Sequence, residues 1–177
     1  MHSVVWLCAL SLAIFAGYLD WSSRRIPNWL TVPGLVLGIV LNTVAQGWHG
    51  TMAALEGAGM GLGLLLPFVL VRGLGAGDWK LMGSLGAWLG PAGIVLILLV
   101  SIFIAGLMAL VEMVRTRRAK ETFVNLWVLA HATFAFGVRP PHAINLDNPR
   151  LMTLPFGIAV ALATVILFLY GVWPRIA

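Results

Sequence analysis

Of the six acidic residues in this 177-residue sequence, two stand where a carboxylate could do chemistry. Asp20 ends the first long apolar run, and Asp78 opens another, directly after Gly75-Ala76-Gly77. The other four read more plainly. Glu112, Glu121 and Asp147 sit among Arg and Lys in a solvated segment, and Glu56 lies about one turn into an apolar run. A charge inside lipid is costly, so an acid at such a place is a functional candidate until a duller role is found. Two carboxylates held close together cannot both ionise cheaply. They share a proton, their titrations split, and one becomes a base while the other becomes an acid. Such a pair can add water to a peptide carbonyl without a metal. Each acid also has a plain alternative: Asp78 as a helix N-cap, and Asp20 as the partner of Arg24 or Arg25 across one helical turn.

The elements that would position this pair follow from composition. Hydrophobic residues make up 60% of the chain and charged ones only 10%, where a soluble domain carries about a quarter charged residues. Such a chain cannot cover itself with polar groups in water, so lipid is its solvent. The net charge of +5 reads as membrane topology rather than as a nucleic-acid surface. The single cysteine, Cys8, excludes an internal disulfide framework and a cysteine-cluster zinc site. No Lys or Arg precedes Arg24, so the first apolar run lacks the positive start of a secretory signal and reads as an uncleaved span.

The expected fold is all-α: a polytopic membrane helix bundle of six transmembrane helices in one membrane-embedded domain. A span needs about 20 apolar residues. The spans are read at 3–19, 29–45, 52–70, 79–89, 94–111 and 152–170, separated by Pro27-Asn28, Gly47–Gly50, Gly73–Gly77, Gly90-Pro91, the basic run Arg115–Lys120 and Pro149-Arg150. Tryptophans stand near many of these ends, as interfacial anchors do. Six crossings put ten of the eleven basic residues on one side, leaving only Arg175 opposite. By the positive-inside rule that side is the cytoplasm, and both termini lie outside. The segment Phe123–Phe136 is too short to cross comfortably and is read as an interfacial helix on the cytoplasmic surface. His131 within it is read as a packed histidine, and no metal or cofactor is expected.

Two details sharpen the placement of the acids. The third span opens with Glu56-Gly57-Ala58-Gly59-Met60-Gly61-Leu62-Gly63, whose spacing predicts close helix packing. It has neither the preceding strand nor the Lys-Ser/Thr that a phosphate loop requires. The fourth span is short. From Asp78 to Gly90 the rise is roughly 18 Å, against a hydrocarbon core of about 30 Å, which would sink Asp78 some 10 Å (roughly) below the inner surface.

The residues around both acids resemble the type IV prepilin peptidase family, the bacterial branch of the GxGD intramembrane aspartic proteases. Asp20 is followed by Arg25-Ile26-Pro27-Asn28-Trp29-Leu30, similar to that family's D-x(n)-R-x-I-P-N-x-L segment. Gly75-Ala76-Gly77-Asp78-Trp79-Lys80-Leu81 resembles its GxGD-x-K-L segment, and Pro155-Phe156-Gly157 its Pro-Phe/Tyr-Gly signature at the last span. The resemblance implies that Asp20 and Asp78 are the catalytic pair. It makes Gly75 and Gly77 the loop glycines beside them, and Lys80, Pro27, Asn28, Pro155 and Gly157 supporting positions. Pro27 suits the first turn of the second span. The long members carry paired Cys-x-x-Cys ligands in a cytoplasmic domain linked to N-methylation. This sequence has one cysteine and no such insert, and resembles the short, peptidase-only members of Flp/tight-adherence pilus systems. Presenilins and signal peptide peptidases share GxGD, but carry a Pro-Ala-Leu segment that is absent here.

By that resemblance the partners are prepilins or pseudopilins, cut on the cytoplasmic side after a short basic leader. Arg24 or Arg25 would read an acidic residue near the new N-terminus. The oligomeric state is left open. Two other functions compete: a small proton- or cation-coupled transporter using Asp20 and Asp78, since short glycine-flanked helices also serve transporters, and a non-catalytic assembly subunit. Against transport, no inverted repeat and no second set of membrane-embedded acids is visible in the sequence.

Overall fold

The computed structural model describes residues 2–70, 74–116 and 155–170, which form helices and the turns between them. Helix α1 is His2–Ser23, α2 is Asn28–Leu70, α3 is Ala76–Thr116 and α4 is Phe156–Leu169. Of these, α1, α2 and α3 are long and apolar enough to cross a membrane, and α4 is a shorter apolar helix. The expected interfacial segment Phe123–Phe136, with His131, lies outside the described residues, as do Arg139, Arg150 and Arg175.

Helices α2 and α3 are each interrupted by one glycine. Gly47 (φ 61°, ψ −140°) breaks α2 and Gly90 (φ 70°, ψ −179°) breaks α3, in the positive-φ region where a Cβ would clash. The chain folds back at Gly47. Thr43 and Thr51 bring their hydroxyls to 2.8 Å, whereas eight residues of unbroken helix would separate them by about 12 Å.

Packing against α3 gives the directions of the two halves. In the first half of α2, Asn28 meets Lys80 and Gly38 meets Trp88, so the two segments run parallel. In the second half, Leu62 meets Trp79, Gly61 meets Met82 and Gly57 meets Gly86, so the order is reversed. The short stretch expected to be the fourth span is therefore clasped between the halves of α2, and every residue from Leu81 to Leu89 is buried.

The glycine run in α2 divides by face. Ideal Cβ atoms at Gly57 and Gly61 would strike the backbone carbonyls of Gly86 and Met82, while those at Gly59 and Gly63 would meet nothing within 4 Å. Only the first pair carries the close approach. Gly57→Val is expected to force α2 off α3 and cost at least about 1–3 kcal/mol, the usual range for overpacking. Gly59→Val should leave the melting temperature in detergent close to that of the wild type.

The break at Gly90 has its own repair. Pro91 has no N–H to offer the Ala87 carbonyl one turn back. Asn42 Nδ2 donates to that carbonyl at 2.9 Å and to the Trp88 carbonyl at 3.1 Å. Asn42→Leu removes the donor and leaves both carbonyls buried, which predicts a loss of about 1–3 kcal/mol, measured as a lowered thermal midpoint in detergent.

Bulk and polarity are distributed as lipid solvation requires. Phe103 is 73% exposed, and Leu99, Ile102 and Leu107 also face outward. Thr31, Asn42, Ser84, Ser101, Thr164 and Asp20 are buried with alanines and glycines. Small and hydrogen-bonding residues hold helices together where water supplies no drive for apolar contact.

Candidate active site

One end of the bundle gathers the last turn of α1, the linker to α2, and the first turns of α3 and α4. The convergence starts with the way α1 stops. Arg24 takes a left-handed conformation (φ 54°) and its N–H bonds the Asp20 carbonyl at 3.0 Å, a helix ending that glycine usually provides. The turn sends Ile26 inward, where it is buried. A Cβ on Gly77 would lie 3.1 Å from the Ile26 Cβ, so the glycine lets the linker run against the start of α3.

Asp20 lies inside α1, which continues to Ser23 rather than stopping at Leu19 as the apolar run suggested. It is only 6% exposed. Its Oδ2 accepts the Gly157 N–H at 2.8 Å. The cap residue of α4, Pro155, has no side chain that can accept a bond from the first turn, so α1 supplies the acceptor from outside. A carboxylate suits that place, because the helix N-terminus presents unpaired N–H groups and a partial positive charge. Any residue larger than glycine at 157 would force a shift. A Cβ there would sit 2.9 Å from both Cβ and Oδ2 of Asp20. Arg24 also acts electrostatically on Asp20.

Asp78 is not the N-cap of α3. The helix begins at Ala76 and the Trp79 N–H bonds the Gly75 carbonyl, which makes Gly75 the cap residue and Asp78 the third helical position. The Asp78 carboxyl leans back over Gly75, whose Cβ, were it present, would be 3.1 Å from Oδ2. It is near enough to Asp20 for the charge of one acid to be felt by the other. One residue on, the Trp79 indole donates to the Leu62 carbonyl at 2.7 Å, pinning this turn to α2. Lys80 Nζ donates to Asn28 Oδ1 at 2.9 Å, tying the first turns of α2 and α3 together.

Between these groups lies a cavity of about 350 Å³. Asp20, Asp78, Arg24, Arg25, Asn28, Gly75, Gly77 and Lys80 all line it, together with Ile26 and Ala76. Every nominated residue thus reaches the cavity except the three that frame it, Pro27, Pro155 and Gly157. Pro27 departs from expectation in detail: its carbonyl accepts from Leu30 and Thr31, so it caps α2 and the first turn begins at Asn28. Sequence reasoning gave no role to Ile26, and read Trp79 as an interfacial anchor at a span end rather than as the indole that bonds α2. An apolar residue inside a polar linker and an indole that needs a buried acceptor were the available signals.

The family model for the type IV leader peptidase family matches residues 7–110, from α1 into the second half of α3. The chain belongs to this family. Among curated relatives, a prepilin leader peptidase/N-methyltransferase of Burkholderia pseudomallei is 36% identical over 128 residues, which is 66% of this chain and 38% of the relative. That of Neisseria gonorrhoeae is 33% identical over 110 residues, 58% of this chain and 37% of the relative. The Xanthomonas campestris protein is 26% identical over 160 residues, covering 86% of this chain and 45% of the relative. The chain therefore spans less than half the length of these relatives. No solved structure gives a match. The region shared with the leader peptidase family contains both Asp20 and Asp78 and ends before α4, which brings Gly157 to Asp20.

Proposed function

We propose that this chain is a membrane aspartic endopeptidase that removes the leader of type IV prepilins or pseudopilins, with Asp20 and Asp78 as its catalytic pair. The observation that carries the reading is the convergence of these two acids, fifty-eight residues apart, on one cavity at the end of an apolar bundle. In the reaction one carboxylate takes a proton from water, and the water oxygen bonds to the scissile carbonyl carbon. The other, protonated, carboxyl donates to the carbonyl oxygen. Collapse of the tetrahedral intermediate then breaks the C–N bond, as the departing amine takes a proton from the pair. Burial strengthens this exchange, because low-dielectric surroundings amplify each charge.

The same reading sets the chain in the bacterial inner membrane with six crossings, the breaks at Gly47 and Gly90 serving as turns. The positive-inside balance puts the cavity at the cytoplasmic face and both termini outside. The activity proposed is that of a peptidase on Flp-like substrates, as the resemblance to the short family members implies. Arg24 and Arg25, at the cavity, would pair with an acidic residue near the new N-terminus of the substrate.

Co-expression with small prepilins tests this reading directly. Leader removal should appear on a gel with the intact chain and be lost when either acid is replaced. If no prepilin is cut while ion flux through proteoliposomes depends on both acids, the chain is a transporter.

A further inference from the structure

Resting on the peptidase reading, a second hollow in the bundle acquires a purpose. It lies between α1 and the first half of α2, has a volume of about 510 Å³, and is lined mainly by apolar groups. Cys8, Ser11, Leu12 and Phe15 form its α1 wall at helical spacing. Trp29, Leu30, Pro33, Gly34 and Leu37 form the facing wall. Trp88 of α3 makes its floor, with its indole N–H bonded to the Gly34 carbonyl at 2.8 Å. That bond leaves the floor no free polar group from the indole, so the hollow suits an apolar occupant.

Three observations make it more than lipid-facing roughness. First, it lies between the same two helices that border the candidate active site, one step farther along them. Asn28 lines the catalytic cavity, and the next two residues, Trp29 and Leu30, line the groove. Second, the two walls meet at the catalytic end through the edge contact of Phe15 and Trp29, whose ring centroids are 6.0 Å apart. Asp20 follows Phe15 on the same helix. Third, α1 and the first half of α2 are antiparallel, as Phe15 on Trp29 and Leu12 beside Gly34 show. The groove therefore runs from the catalytic end into the depth of the bilayer.

We infer that this groove is the docking site for the apolar helix of the substrate, laid along α1 with its scissile bond at Asp20 and Asp78. Ridges of one helix pack into such a groove between two others, and in lipid the fit of small and aromatic surfaces supplies the association. The placement fixes a register. Cys8 precedes Asp20 by twelve residues of α1, roughly 18 Å at about 1.5 Å per residue. A substrate helix lying alongside should bring its residue about twelve positions beyond the cleaved bond level with Cys8, within about one turn either way.

The chain carries its own reporter for that register, because Cys8 is its single cysteine. In membranes containing Asp78→Asn, which holds the substrate uncut, a prepilin with single cysteines walked along its apolar helix is oxidised with copper phenanthroline. Disulfide capture by Cys8 should peak about twelve residues past the cut and vanish in Cys8→Ser. A second measurement uses the exposed groove residues Ser11 and Leu37. Ser11→Trp and Leu37→Trp fill the groove from opposite walls. Each should slow cleavage of the whole prepilin at least about tenfold through KM, while a short peptide spanning only the cut site is processed at the wild-type rate. Prepilin cleavage without Cys8 capture at any position, and without an effect of either tryptophan, would mean that only lipid occupies the groove. That result would overturn the docking proposal and leave the peptidase reading standing. Failure to cut any prepilin would remove both.

Discussion

Asp20→Asn and Asp78→Asn should each lower leader removal by at least about 10³-fold, within the range a single acid–base group contributes. The carboxamide nearly matches the carboxylate in shape, so the bundle should survive. At position 20 this can be stated residue by residue. The Asn carbonyl oxygen still accepts the Gly157 N–H that Asp20 Oδ2 accepts at 2.8 Å, so α4 keeps its cap while the site loses its proton carrier. Melting temperatures in detergent should therefore stay near that of the wild type as activity disappears. The double variant should be no worse than either single one, because groups that act as one unit are not additive. Retained cleavage in either single variant would remove that acid from the pair.

Gly157→Ala should cost about 10²-fold in activity although it adds one methyl group far from Asp78 in sequence. The new Cβ would meet Cβ and Oδ2 of Asp20 at 2.9 Å, nearer than carbon atoms approach. The rigid stem of the Asp20 side chain is involved, so a rotamer change cannot relieve the contact. Either α4 withdraws and the N–H bond to the carboxylate is lost, or Asp20 moves. A displacement of about 1 Å at a catalytic group is worth about 10²-fold. Gly59→Ala is the matched control, since a Cβ there meets nothing within 4 Å. Equal activity of the two variants in a quantitative leader-removal assay would show that the α4 contact does not position Asp20.

Asp20 does two jobs at once in this arrangement. As an acceptor it closes the start of α4, and as a carboxylate it lines the cavity. Neither of the plain alternatives for the two acids describes the structure fully. Asp78 does not cap its own helix, and Asp20 caps a helix other than its own. The charge of Arg24 does act on Asp20, but the turn that brings Arg24 there owes its shape to a left-handed backbone.

Much of the architecture was legible because membrane solvation writes itself into composition. Long apolar helical runs follow from the need to satisfy every backbone group inside lipid, and the Trp-bearing ends from the preference of the indole for the interface. The breaks at Gly47 and Gly90 fall within the turns read from the sequence. Helix ends were read less well. α1 runs on to Ser23 because hydrogen bonding continues past the last apolar residue, and hydropathy does not sense where a backbone turns.

By itself the sequence determined that the chain is helical and apolar, that Asp20 and Asp78 are its acids of interest, and which residues flank them. Local chemistry suffices for that, since solvation and residue type act position by position. Only the tertiary structure decided that α4 returns to hand its Gly157 amide to Asp20, and that Gly57 and Gly61 pack while Gly59 and Gly63 do not. It likewise decided that Asn42 repairs the break before Pro91. Each of these depends on which helix faces are opposed, and that is settled by packing between segments distant in the chain.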